Sequence, residues 1–363
     1  MRALRAGPGG RVLTGICARK GREMAGAEAP IRVRGAFAFA GLVAGYGASV
    51  LFSIFISRMG GQNSSIWTAT GFLTGALILL TGRWRVMAVA LSLGFQAAVS
   101  LAVGDGVGSA LLGPAITLLE AAFAAWLAVT YCGARGRRLS LRRLALLIVG
   151  AIAPAAMLGA VAGAGMNDLL RGQGFIDGWL AWAIPSGLGM TMVTPALLLI
   201  ARESQYREFR RSPLEVGGLL GGLCGLTAAA FYQSELPLQF VIFPVLTLVA
   251  FRLGPPGAAI AGFFVAVICL PLATLGHGPA APAPGLDPLG RVRLTQVVVT
   301  AALCCTLATA TAVAETARLR QLLVSRDQAV RSGLRRARAA ERLLAESAGR
   351  RAVAPSRRGA QVG

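Results

Sequence analysis

The chain has 363 residues, of which 55 % are hydrophobic and only 14 % charged, and it carries a net charge of +21. A soluble domain carries about a quarter charged residues, whereas here long apolar blocks alternate with short charged connections. That pattern argues against a soluble enzyme and defines an all-α, polytopic transmembrane helical bundle. The positive charge lies in two tails and in short loops, as in the cytoplasmic flanks of membrane helices. It therefore points away from nucleic acid and toward membrane lipid as the partner.

A basic tail occupies residues 1–34, and no short apolar core with a cleavage site marks a signal peptide. Met24 offers a second start, so residues 1–23 read as an over-extended gene start. The apolar spans follow at 35–57, 64–81, 84–104, 108–131, 142–164, 176–201, 214–232, 237–252, 255–276 and 293–315. A crossing needs about 20 residues, so roughly eight to ten of these stretches cross. The stretch 237–252 is short, opens with Pro237 and contains Pro244, which reads as a half-span covered by other helices. With a cytoplasmic N-terminus, Arg83, Arg85, Arg135, Arg137, Arg138, Arg142, Arg143, Arg202, Arg207, Arg210, Arg211 and Arg252 fall in inner loops. Only Arg58, Arg171, Arg291 and Arg293 fall outside, so both termini are expected to be cytoplasmic.

Pairs of glycines four residues apart recur within spans, as at Gly159 and Gly163 or Gly217 and Gly221. Such spacing lets helix backbones approach closely in lipid. Packing within one bundle is the preferred reading, and a homodimer through the span at 214–232 the second. The six cysteines form no C-x-x-C pair and read as small packing residues. Beyond 315 the chain becomes charged and helical. Leu323, Val330, Ala337 and Leu344 recur every seven residues, so 316–347 reads either as a short coiled coil or as a solvated helix. Residues 348–363 read as a disordered tail.

Catalytic chemistry is hard to place. The only histidine is His277, in a Gly/Pro-rich outer loop. An intramembrane Ser-His arrangement and a His-containing zinc site both lack their ligand, and there is no phosphate-binding G-x-x-x-x-G-K-[ST] loop. The sequence thus implies no catalytic residue, no metal and no cofactor. Glu120 stands apart as an acid halfway along 108–131. A charge there costs at least about 3 kcal/mol, and no arginine shares its depth. Its carboxyl is expected to be protonated and hydrogen-bonded, either to sense a ligand or proton or to join two helices. Asp168 and Asp177 flank the outer entry of 176–201, and Trp67, Trp179 and Trp182 are expected at outer span ends as an aromatic belt or as ligand contacts. Of these, Glu120, Trp67, Trp182 and Asp177 are the candidates for sensing. Pro185, Pro195 and Pro244 fall within spans and can act as kinks or hinges. Gly189 is a packing candidate, and Arg252 a snorkelling anchor at the inner end of its span.

Four segments together resemble the first type of membrane-associated sensor domain, found at the N-terminus of bacterial histidine kinases and diguanylate cyclases. SSIWTATGFLTGALILLTGRWR resembles its Trp-x-x-x-Gly span and Gly-Arg turn through Trp67, Gly71, Gly82 and Arg83, although the usual proline after the tryptophan is absent. LLGPAITLLEAAFAAWL matches through Gly113 and Glu120. WLAWAIPSGLGMTMVTPALLL matches through Trp182, Gly189, Thr194 and Pro195, with Ser186 where the family often has an acid. FPVLTLVAFRLGPPGAA matches through Phe243, Pro244, Arg252 and Gly254. The resemblance covers about 35–320. It implies a sensory module in the bacterial inner membrane, whose last span feeds a signalling helix. On that reading it lacks its own output domain and relays to a histidine kinase, diguanylate cyclase or response regulator in trans. The alternative is a transporter or transport-accessory protein, which an intramembrane acid and kinked helices would also suit.

Overall fold

The structure is a computed structural model that describes residues 36–59, 66–136, 139–172, 174–234, 236, 238–280 and 287–353. The basic N-terminal tail, Pro237 and residues 354–363 lie outside the described residues. The described residues are mostly helical and include no strand. In chain order the helices are α1 (Ala36–Met59), α2 (Ala69–Leu79), α3 (Arg83–Ala102) and α4 (Val107–Thr130). Then come α5 (Leu141–Leu147), a π-turn at Ile148–Ile152, and α6 (Ala153–Arg171). They are followed by α7 (Phe175–Ile200), α8 (Pro213–Tyr232), α9 (Ile242–Thr274) and α10 (Pro288–Val353). Among the described residues 8 helices are long and apolar enough to cross a membrane, with α5, the π-turn and most of α6 forming one of them. The molecule is a polytopic helical membrane bundle.

Two of the stretches expected from sequence depart from simple crossings. The segment 64–81 is helical only over Ala69–Leu79, 11 residues. At 1.5 Å per residue that is about 16 Å, half of the hydrocarbon thickness. The stretches 237–252 and 255–276 are joined in α9, which breaks at Gly254 with φ 62°. That left-handed backbone suits glycine, and Pro255 and Pro256 follow it. Pro244 stands in the first turn of α9, where a missing N–H costs the helix little, so it does not kink a span. The expected tail boundary at 347 also falls within a helix, since α10 runs to Val353.

The bundle from Ala36 to Val313 is one compact unit. Its central member is α7, whose residues from Leu188 to Ala196 are buried in an unbroken run. A helix apolar on every side belongs inside a bundle, and α7 packs against α2, α6 and α9. One apolar core joins Leu188, Met192 and Val193 of α7 to α8, α9 and the first turns of α10. A second joins Met190 and Leu198 to α2, α4 and α6. The unit from Ala314 onward is a charged helix whose side chains from Arg318 to Glu341 are all exposed.

The half-length α2 crosses α7 backbone to backbone. A methyl group at Gly71 would lie 2.7 Å from the Gly189 carbonyl oxygen and 2.8 Å from Val193 Cβ. One at Gly189 would strike the carbonyl of Trp67. Neither site has room for a side chain, so Gly189 is a packing residue in a stricter sense than small-residue enrichment implies. The other end of α2 is met by cations. Arg85 donates from Nε and Nη2 to the Leu80 carbonyl at 3.2 and 2.9 Å, and Arg135 Nε donates to that of Ile78 at 3.3 Å. Positive groups suit a helix C-terminus, where carbonyls lack partners.

Arg202, in the turn after α7, is 1 % exposed. It donates to the carbonyls of Gly136, Leu198 and Ala134 and ties the α4–α5 loop to the end of α7. Burial lowers its guanidinium to about 10, so it remains a cation at neutral pH. Arg252, read from sequence as an anchor at the inner end of its span, pairs with Glu215 of α8 at 2.6 Å.

The crossing predicts a size limit at both glycines. Gly71→Val and Gly189→Val should each destabilise the bundle by about 1–3 kcal/mol through overpacking, read as a lowered melting temperature in detergent. Gly217→Val, where a side chain meets open space, should leave it nearly unchanged.

Candidate functional site

Glu120 lies near the middle of α4 and is 1 % exposed. Its carboxylate accepts from Ser186 Oγ at 2.6 Å on Oε1 and from Trp182 Nε1 at 3.3 Å on Oε2. Ser186 Oγ also lies 3.2 Å from Thr70 Oγ1, in the first turn of α2. Three helices therefore converge on one carboxyl group. The fourth wall is α6, which contributes two absences. A methyl group at Gly159 would lie 2.8 Å from Glu120 Cδ, and one at Gly163 would strike the Trp182 indole. The pair expected to bring helix backbones together instead seats two side chains, one turn apart on the same face.

The chain just before α2 reaches the same depth. Residues 66–68 are non-helical, and Trp67 N donates to the Pro185 carbonyl at 3.2 Å. Pro185 lies about 15 Å along α7 from Phe175, so Trp67 sits well inside the bundle. The outer-belt position expected for Trp67 and Trp182 is thus corrected. Trp182 turns inward because the acid and the Gly163 notch receive its indole. Trp67 is carried inward because the helix after it is only half a span long. The Trp67 Nε1 is buried without a hydrogen-bond partner among the described residues.

A second polar set lies one turn away along α4. Gln96 Nε2 of α3 reaches Thr117 Oγ1 at 3.5 Å, and Tyr46 of α1 donates to Gln96 Oε1. Ser49 and Thr68 hydroxyls pair beside it. Buried polar groups in hydrocarbon require such partners. Sequence reading passed over Gln96, although an amide amid the apolar run SLGFQAAVSL was a usable signal. The hydroxyls of Thr70 and Ser49 gave none, since such residues bond their own helix as readily.

The remaining candidates lie elsewhere. Asp177 is exposed in the first turn of α7, and Asp168 is exposed on α6. Pro195 is buried in α7, and its missing N–H leaves the Thr191 carbonyl without its helical donor. Nearby, Thr194 Oγ1 donates to the Gly71 carbonyl at 3.2 Å. Among the described residues no group of three or more His, Cys, Asp or Glu side chains gathers as a metal site would require. The arrangement is a buried acid held by hydrogen bonds from the Ser186 hydroxyl and the Trp182 indole.

A membrane bundle with one half-helix and an acid sealed at its core defines an integral membrane protein built around an intramembrane polar centre. The family model MASE1 matches residues 37–317, and the chain belongs to this family of membrane sensor domains. No curated protein and no solved structure matches the chain.

The seat of Glu120 separates two substitutions. Glu120→Gln keeps an acceptor for Ser186 and should leave thermal stability within about 1 kcal/mol of the parent. Glu120→Ala strands the Ser186 and Trp182 donors and should cost about 1–3 kcal/mol. Gly159→Val should reproduce the alanine phenotype by evicting the carboxyl group. Melting curves followed by tryptophan emission would separate Glu120→Gln from the other two.

Proposed function

We propose that this protein is a membrane sensory module that relays its state to a separate cytoplasmic partner. The membrane sensory class follows from the family and the bundle. The relay is our reading, and the placement of Glu120 carries it. A response to a cue needs two packings and a contact that differs between them. The bonds from Ser186 and Trp182 to Glu120 join α4 to α7, with α2 attached through Thr70 and α6 fitted around the acid. Exchanging either bond moves helices rather than a loop. Pro185 and Pro195 loosen α7 on both sides of that point.

In this reading the charged helix from Ala314 carries the output. By the arginine count this helix lies on the cytoplasmic side with both termini inside, and the family resemblance implies the bacterial inner membrane. Its partner is a histidine kinase, a diguanylate cyclase or a response regulator. The heptad at Leu323, Val330 and Ala337 supplies a seam for a helical partner. Asp177, Trp67 and Trp182 remain candidates for contact with the cue.

The relay is tested in native membranes with a photo-reactive residue placed between 316 and 341. Reproducible capture of a kinase, cyclase or response regulator is expected, and removal of residues 324–363 should abolish it while the bundle still inserts. Capture of nothing, or only of a second copy, would overturn the relay. With a captured partner in hand, Glu120→Gln should change that partner's activity several-fold without lowering the amount in the membrane.

A further inference from the structure

The end of the bundle where α7 and α10 begin and α9 ends holds a second polar feature, separate from the Glu120 carboxyl. A cavity of about 270 Å³ opens there, lined by Leu180, Ala181, Asp287, Val292, Arg293 and Gln296 among others. Arg293 stands in the second turn of α10, and its Nη2 is enclosed without a hydrogen-bond partner among the described residues. A guanidinium does not shed its proton, so the enclosed donors require an acceptor. An arginine that snorkels to a lipid phosphate keeps its head group in the wet interface, whereas this nitrogen is covered by protein.

Acceptors line the same space. Pro185 also borders the cavity. Having no N–H, it leaves the Ala181 carbonyl without its i+4 donor in α7. Asp287 adds a carboxylate, whose Oδ1 takes the Gly290 N–H at 2.8 Å and whose Oδ2 is no part of that bond. Leu180 and Val292 give the cavity an apolar wall. One cation, two acceptors and an apolar wall in a space of this size suit a molecule with both charges on a short body. A doubly charged phosphate would meet the Asp287 carboxylate at the rim.

We propose that this cavity binds a small amino-acid-like zwitterion, its carboxylate on Arg293 and its ammonium group on the Ala181 carbonyl and Asp287. The proposal concerns binding and does not depend on the relay, because occupancy is read directly. The full-length protein is placed in phosphatidylcholine nanodiscs and titrated with free glycine, L-alanine and L-leucine. Butyrate, butylamine and inorganic phosphate serve as comparison probes. Emission of Trp179 and Trp182, which flank Leu180 and Ala181 on α7, reports binding.

At least one amino acid should give a saturable change, and Arg293→Gln should weaken it about tenfold or more, since a charged donor is lost. Ala181→Phe, which fills the cavity and keeps the cation, should abolish it. If Arg293→Gln fails to fold, Ala181→Phe decides alone. Absence of saturation with all three amino acids overturns the proposal, as does unaltered binding in the variants. Butyrate or phosphate binding as tightly as the amino acids would replace the zwitterion with a simple anion. Loss of amino-acid binding when phosphatidylglycerol is added to the nanodisc would assign the site to a lipid headgroup and overturn it equally.

Discussion

The close crossing of α2 on α7 is the contact on which the rest of the bundle depends. A chain that enters the membrane without helical structure carries unpaired N–H and C=O groups into hydrocarbon, at several kcal/mol each if they stay unpaired. Trp67 escapes this by donating to the Pro185 carbonyl, which requires its backbone to touch that of α7. Gly71 and Gly189 make the touch sterically allowed. The half-helix that follows has its dipole answered at both ends. The Thr70 hydroxyl and the Glu120 carboxyl lie near its N-terminus through Ser186, and Arg85 and Arg135 hold its last carbonyls. Oriented half-helices of this kind are a recurrent way to build a polar centre at membrane depth.

Glu120 is costly to bury, and the surrounding bundle is shaped around that cost. Two donors from α7 reach it, and α6 gives up side chains at Gly159 and Gly163 to make room. Four helices thus shape the seat of one carboxyl group. Proteins retain intramembrane acids where they do work that an apolar residue cannot.

The sequence displays the helices and hides the way they meet. Hydropathy marks the long spans, and it isolates Glu120 because one charge in an apolar run is conspicuous. Pro237 and Pro244 flagged the segment before Arg252 as irregular, and the irregularity proved to be the break at Gly254, beyond both prolines. The depth of Trp67 was not legible, because tryptophan near a span end is ordinary in a membrane protein and nothing local shortens α2 to half a span. Gly159 and Gly163 were visible as a pair but not as sockets, since spacing gives the face and not what enters it. Arg85, Arg135 and Arg202 looked alike as loop cations. Only the fold shows which carbonyls they satisfy, because Arg135 and Arg202 reach acceptors distant in the chain, at Ile78, Gly136 and Ala134.

The position of α7 explains why a local change need not stay local. Alternate stretches of this helix serve two apolar cores, one with α8 and α9 and one with α2, α4 and α6. Cores are packed closely enough that a helix cannot slide a fraction of a residue without cost, so it tends toward discrete arrangements. Displacing α7 at Ser186 repacks Leu188, Met192 and Val193 against one core and Met190 and Leu198 against the other. The first core includes Val299, Ala302 and Leu303 of α10. The membrane-embedded part of α10 therefore packs in the same core as α7, the helix whose Ser186 and Trp182 donate to Glu120.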